Sequence, residues 1–169
     1  RFADGARFSA LDKTGSGLHL HLSLTSAGNA VFPAQGDDGR GLGLSDTAYG
    51  FIGGILDHAC ALQAVIAPTV NSYKRTGAVS TRSGASWAPR TPTYGGNDRT
   101  HYIRVPDSAR IELRGGDGSA NPYLAFSALL LAGLDGIQNR IDPGDPLDKN
   151  LYELPPEELA QVPSVPDSL

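Results

Sequence analysis

The chain has 169 residues, a length that fits one domain and allows a sizeable core. Its 21 glycines and 12 prolines make it rich in loops without reaching a low-complexity composition. With 14 basic and 18 acidic side chains, a net charge of -4 and only 19% charged residues, it lacks the electrostatic footprint of a general nucleic-acid binder or a polybasic membrane binder.

The single cysteine, Cys60, excludes an intramolecular disulfide, and its apolar neighbours in LDHACALQAVIA predict burial. Nothing here asks for an oxidising compartment, so a cytoplasmic setting is expected. No run approaches about 18 uninterrupted apolar residues, and RFADGARFSA does not form the charged-then-apolar pattern of a signal peptide. There is no methionine at all, which leads us to expect that the chain is part of a longer polypeptide.

In chain order, GLHLHLSL at 17–24 alternates Leu18, Leu20, Leu22 and Leu24 with Gly17, His19, His21 and Ser23, which predicts a strand with one apolar face. A surface excursion rich in Gly and Asp follows. Ser45 and Asp46 offer an N-cap, and Ala48, Phe51, Ile52, Ile55, Leu56, Ala59, Leu62 and Ile66 predict one amphipathic helix over 45–67, stopped by Pro68. Gly50, Gly53 and Gly54 weaken that helix unless they admit a close neighbour.

Residues 69–98 show little periodicity and read as a lid or binding loop, with Trp87 and Tyr94 either lining an entrance or, as we favour, pinning the loop. THYIRVP at 100–106 and ARIELR at 109–114 predict two strands joined by a tight turn at Asp107-Ser108. Asn121-Pro122 caps a helix that is apolar nearly all round, is expected to be buried, and ends near Asp135-Gly136. The last thirty residues are punctuated by Pro.

If the leucines of the first strand face the core, His19, His21 and Ser23 share the other face, about 7 Å apart in succession. By the same alternation Arg110, Glu112 and Arg114 share one face of ARIELR, and Arg104 shares a face with Tyr102. Each group has a bland explanation: exposed or core-satisfied histidines for the first, a solvated ion-pair ladder for the second. Taken together they suit more. A metal held by His and Glu and ringed by arginines that fork onto phosphate or carboxylate oxygens is what nucleotide-dependent transfer to a carboxylate requires.

Six blocks carry a family resemblance in order: GSGLHLHLSL at 15–24, PTVNSYKR at 68–75, NDRTHYIRVP at 97–106, ARIELR at 109–114, DGSANPYLAFSALLLAGLDGI at 117–137 and DKNLYELPPEE at 148–158. They resemble the catalytic domain of glutamine synthetases over nearly the whole chain. The stretch RTGAVSTRSGASWAPRTPTYGGNDRTH looks more like the branch of GlnT-type enzymes and gamma-glutamylmethylamide synthetases.

The resemblance implies an α+β fold, an antiparallel sheet forming part of an open half-barrel with flanking helices. It also implies ATP and Mg2+ (or Mn2+), glutamate plus ammonia as substrates, and a homo-oligomer for the full-length protein. Residue by residue, His19 and Glu112 match metal ligands, and His21 and Ser23 match positions beside the nucleotide. Gly15, Arg75 and Arg114 match glutamate-binding positions. Arg99 and Arg104 match arginines facing the nucleotide phosphates, Arg99 with the catalytic role, and Arg110 falls near the nucleotide. The implied reaction passes through a gamma-glutamyl phosphate that an amine then opens.

Several positions depart from the family pattern. Thr14 stands where Asn is usual, residues 76–96 contain no acidic side chain to match the flap glutamate, and no Lys lies between Arg104 and Arg110. The chain is read as a partial catalytic domain spanning 1–169, without the family's N-terminal beta-grasp domain and upstream acidic ligands, and is expected to have little activity alone. Methylamine or a polyamine is the alternative amine, and a non-catalytic assembly or nucleotide-sensing module is the alternative class. Tyr152 matches a tyrosine that some bacterial members adenylylate, although a plain surface aromatic is the favoured reading.

Overall fold

The computed structural model describes residues 17–76 and 89–168. The first strand, β1 (Leu18–Leu22), is followed by a two-residue-stranded hairpin, β2 (Thr25–Ser26) and β3 (Asn29–Ala30). Its turn places Ala27 and Gly28 at φ of 48° and 84°, the left-handed pair that a tight hairpin needs. This hairpin lies inside the predicted surface excursion and left no hydrophobic alternation to read.

The remaining excursion is closed by one carboxylate. Asp38 accepts from the backbone N–H of Arg40, Gly41, Leu42 and Leu44 and from the Tyr49 hydroxyl at 2.7 Å. These donors hold its carboxyl well below the usual carboxylate range, the Tyr49 hydroxyl first among them.

Ser45 caps the next helix, accepting from the Ala48 N–H at 3.2 Å. The single helix predicted over 45–67 is two: α1 (Asp46–Asp57) and α2 (Ala59–Ile66), bent by 73° at His58. The His58 ring hydrogen-bonds Asp135 at 2.9 Å, tying the bend to a later helix. The bend also corrects the expectation for Cys60. Within α2 the buried positions are Ala59, Leu62, Gln63 and Ile66, one helical face, and Cys60 points the other way and is exposed. A short helix, α3 (Val70–Thr76), occupies the start of the stretch read as a loop.

The sheet is open, with order β1-β6-β5-β4. Strands β5 (Ile103–Asp107) and β6 (Arg110–Gly116) form the predicted hairpin, its turn one residue later than expected, and β1 pairs antiparallel with β6. A short strand, β4 (Tyr94–Gly95), adds a parallel pair to β5. Tyr94 does pin its segment: it is buried, and its hydroxyl donates to the Gly144 carbonyl at 2.6 Å. Trp87 lies outside the described residues.

Leu20, Ile103, Val105, Ile111 and Leu113 form the inner face of the sheet, and they pack with Phe51, Ile52, Ile55 and Leu129 from the helices in one core. The long helix α4 (Pro122–Asn139) is capped by Asn121, as expected, but runs past Asp135-Gly136 to a left-handed Arg140. Gly54 of α1 and Gly136 of α4 meet so closely that a Cβ on either would overlap the other helix's backbone. The glycines that weaken α1 are what lets α4 approach it.

The apolar α4 is buried on one side only. Ala125, Leu129, Ala132, Gly133 and Gly136 face inward, whereas Tyr123, Leu124 and Leu131 are more than half exposed. Complete burial was the expectation; what covers α4 here is α1 and α2 along one flank. A last helical turn, α5 (Pro156–Leu159), closes the described chain. Among the described residues no single helix is long and apolar enough to cross a membrane.

Candidate active site

The outer face of the sheet is built by register. On β6 Glu112 pairs across to His21 of β1 on one side and to Arg104 of β5 on the other, so the three side chains stand on one rung. Arg114, two residues along β6, projects from the same face. Tyr102 does not share this face as predicted. It sits just before β5, its ring covers Gly115, and its hydroxyl accepts from the buried Gln63 at 2.9 Å.

Glu112 is the centre of the rung. Oε2 accepts from Arg104 Nη1 at 2.6 Å, Oε1 accepts from Arg114 Nη1 at 3.0 Å, and Oε1 stands 3.3 Å from His19 Nδ1 and 3.8 Å from His21 Nε2. Glu112 is 4% exposed and Arg114 3%, so the ladder is not the solvated one that the sequence left open. Burial alone would raise the Glu112 carboxyl. The Arg104 hydrogen bond and the charges of Arg114, Arg104 and His19 outweigh it and hold the group ionised, below its ordinary value. Burial lowers Arg114 below its ordinary value, while Glu112 and Tyr152 pull the other way.

Arg104 is held at both ends, donating Nε and Nη2 to Asn97 Oδ1 at 2.8 and 2.5 Å. Asn97 was missed in the sequence; its signal was its place in NDRTHYIRVP, two residues before Arg99. Arg99 sits on the turn before β5 and is exposed. Arg110 is not brought into the cluster: it lies at the hairpin end, half exposed, paired with Asp107 at 3.1 Å. His21 and Ser23 are exposed on the β1 side. Gly15 lies outside the described residues; Arg75 falls in α3, but its side chain is outside them too.

The donor set fits a divalent cation in part. His19 and Glu112 supply imidazole and carboxylate donors that converge, but among the described residues no group of three or more His, Cys, Asp or Glu is placed to hold a metal ion. The arginines around Glu112 suit a polyanion that forks onto guanidinium groups.

An open sheet in an α+β fold, with helices on one face and a cluster of Glu112, Arg104, Arg114 and His19 on the other, agrees with the fold that the resemblance implies. The chain belongs to the glutamine synthetase family: the family model described as "Glutamine synthetase, catalytic domain" matches residues 9–169. It is 51% identical over 160 residues to a glutamine synthetase of Neisseria gonorrhoeae, covering 92% of this chain and 32% of that relative. To the glutamine synthetase of Frankia alni it is 48% identical over 164 residues, covering 94% and 33%. The chain thus spans about a third of the length of the curated relatives it matches.

Among solved structures, one titled "GmaS/ADP complex-Conformation 1" superposes with a TM-score of 0.81 at 49% identity, over 94% of this chain and 37% of that one. Another, "Apo GmaS without ligand", gives 0.77 at 48% identity over 91% and 33%. These neighbours fit the branch that the 75–101 stretch resembles.

Proposed function

We propose that this chain contributes the C-terminal part of a catalytic site that joins an amine to the gamma-carboxylate of glutamate at the expense of ATP, through a gamma-glutamyl phosphate, in the cytoplasm of the cell. The observation that carries this reading is the buried Glu112 carboxylate held between Arg104 and Arg114 with His19 beside it. Membership of the glutamine synthetase family supports a ligase reaction.

Each side chain then has a physical task. Arg114, with Arg75 and Gly15, binds the carboxylates of glutamate and holds the nucleophile in line, which lowers the barrier by positioning. Arg104 and Arg99, with His21, Ser23 and Arg110, face the nucleotide. Arg99 offsets charge on the phosphoryl group in transfer, a role worth about 3–4 kcal/mol for one well-placed donor. His19 and Glu112 would hold Mg2+ or Mn2+, which supplies charge neutralisation on the phosphate oxygens.

Preorganisation is the contribution of this fold. Arg104 and Arg114 are fixed by Glu112 before substrate arrives, so little reorganisation is left for the reaction itself. Ammonia is the default amine. Methylamine is the second reading, because the 75–101 stretch resembles gamma-glutamylmethylamide synthetases, a branch that the GmaS-titled neighbours fit. A homo-oligomer is proposed for the full-length protein.

The test is ADP release by the full-length protein with Mg-ATP and glutamate, with ammonia and methylamine compared, for wild type and Glu112→Ala. Loss of turnover by orders of magnitude in the variant supports a catalyst. An unchanged rate, or no amine-dependent turnover in the wild type, sinks the reading in favour of a non-catalytic module.

A further inference from the structure

The turn that carries Arg99 is exposed at its tip yet anchored at its base by the next two residues. Thr100 is 6% exposed and His101 fully buried. Thr100 Oγ1 accepts from the Leu151 N–H at 3.1 Å, and its own N–H donates to Asp98 Oδ1 at 2.8 Å. His101 Nδ1 hydrogen-bonds Thr93 Oγ1 at 3.0 Å, and its Nε2 is buried with no hydrogen-bond partner among the described residues and Asp98 Oδ2 3.8 Å away. The Nε2 edge of the ring and the Leu147 carbonyl both crowd the same side of Gly95.

The segment on the other side of these bonds is itself stitched to the sheet. Leu147 N–H donates to the Tyr94 carbonyl at 2.9 Å, and the Tyr94 hydroxyl donates to Gly144. Gly95 lies against the His101 ring so closely that a Cβ there would overlap both the ring and the Leu147 carbonyl. Segment 144–151 is therefore a strap, bound to β4 at one end and to the Arg99 turn at the other. Leu151 is buried, and the following Tyr152 interacts electrostatically with Arg114. On the opposite side Asn97 holds Arg104.

A polar Thr and His buried at the base of a short turn cost desolvation that apolar residues would not. A solvent-exposed arginine on an unanchored turn would sample many conformers, and a charge out of place by about 1 Å can cost 10²-fold in rate. We propose that Thr100 and His101 are positioning residues: they clamp the Arg99 turn to the 144–151 strap and so set where the Arg99 guanidinium meets the nucleotide phosphates. This rests on the nucleotide role of Arg99 in the reading above.

The test uses the full-length protein with Thr100→Val, Thr100→Ser and His101→Asn, alone and combined with Arg99→Ala. The readouts are kcat, KM for ATP and for glutamate, ADP affinity by calorimetry, and the melting temperature. Thr100→Val and His101→Asn should each weaken ADP binding and raise KM for ATP by about tenfold, leave KM for glutamate in place, and lower the melting temperature by only a few degrees. Thr100→Ser, which keeps the acceptor for Leu151, should restore wild-type values. In the Arg99→Ala background the same changes should add nothing further, because they act through that residue.

Losses that multiply with Arg99→Ala, or that fall equally on glutamate and ATP, overturn the positioning role while leaving the Arg99 assignment intact. An Arg99→Ala variant with wild-type ADP affinity and turnover overturns that assignment, and the proposal with it.

Discussion

Arg104 and Glu112 face each other across the β5–β6 ladder and share a hydrogen bond of 2.6 Å, the shortest link in the charged rung. Because Asn97 takes the other edge of the same guanidinium, the planar fork and not only the charge is in use. Arg104→Lys keeps the charge but cannot satisfy both partners. Steady-state assay of the full-length protein should show KM for ATP rising at least tenfold, and urea unfolding should show a loss of about 1–3 kcal/mol.

The contact of α1 with α4 depends on the absence of a Cβ. Gly54→Ala would drive a methyl into the Ala132 carbonyl and the Gly136 backbone, and should cost about 1–3 kcal/mol, with more if the helices part. Gly36→Ala, where a Cβ meets nothing within 4 Å, is the control and should lie within about 0.5 kcal/mol of wild type. Chemical denaturation of both variants checks the pair.

Two leucines two positions apart on α4 should behave oppositely. Leu129 is fully buried and Leu131 is 68% exposed. Leu129→Ala should lose about 2–5 kcal/mol and Leu131→Ala less than about 0.5. Equal losses in thermal melts would mean that the exposed side of α4 is covered in solution.

The Asp38 carboxyl titrates below its unfolded value, so it contributes stability above that value and loses it as pH falls through the folded one. Acid unfolding should therefore steepen between about pH 4 and pH 2. Asp38→Asn should be less stable than wild type at neutral pH and show a flatter acid limb. Circular dichroism against pH reads both.

His101 runs the same way for a different reason. Burial lowers its proton affinity, with Asp98 and Asp148 opposing, so the unfolded chain binds the proton more readily. Stability should fall as pH drops below about 6.5 and level off below the folded value. His101→Asn should lack this component in the same titration.

Much of the site was legible because a strand's alternation is local. Within single strands, period alone puts His19 with His21 and Glu112 with Arg114, while it wrongly groups Arg104 with Tyr102; only the pairing of the strands sets the groups side by side. What sequence left unread depends on partners far away in the chain. The bend at His58 answers to Asp135, the burial of Tyr102 to Gln63 and Gly115, and the exposure of Cys60 to which face of a short helix meets the core. The β2–β3 turn carries Ala27 in a left-handed conformation that its residue type does not advertise. Asn97 and the strap at 144–151 act through single hydrogen bonds, which leave no periodic trace.

The rung of His21, Glu112 and Arg104 has a consequence for how the sheet assembles. Sliding β1 or β5 by one residue against β6 would turn that strand's ionisable side chain from the outer face into the apolar one, beside Ile111 and Leu113, and bring leucine, isoleucine or valine out in its place. Misregistered pairing would thus strand a charge in the core, at a cost far above that of a lost ladder bond. The charged residues of the rung are also the ones that disfavour any other alignment of the strands, so a chain that has zipped its sheet correctly has, by that same event, brought His21, Glu112 and Arg104 side by side.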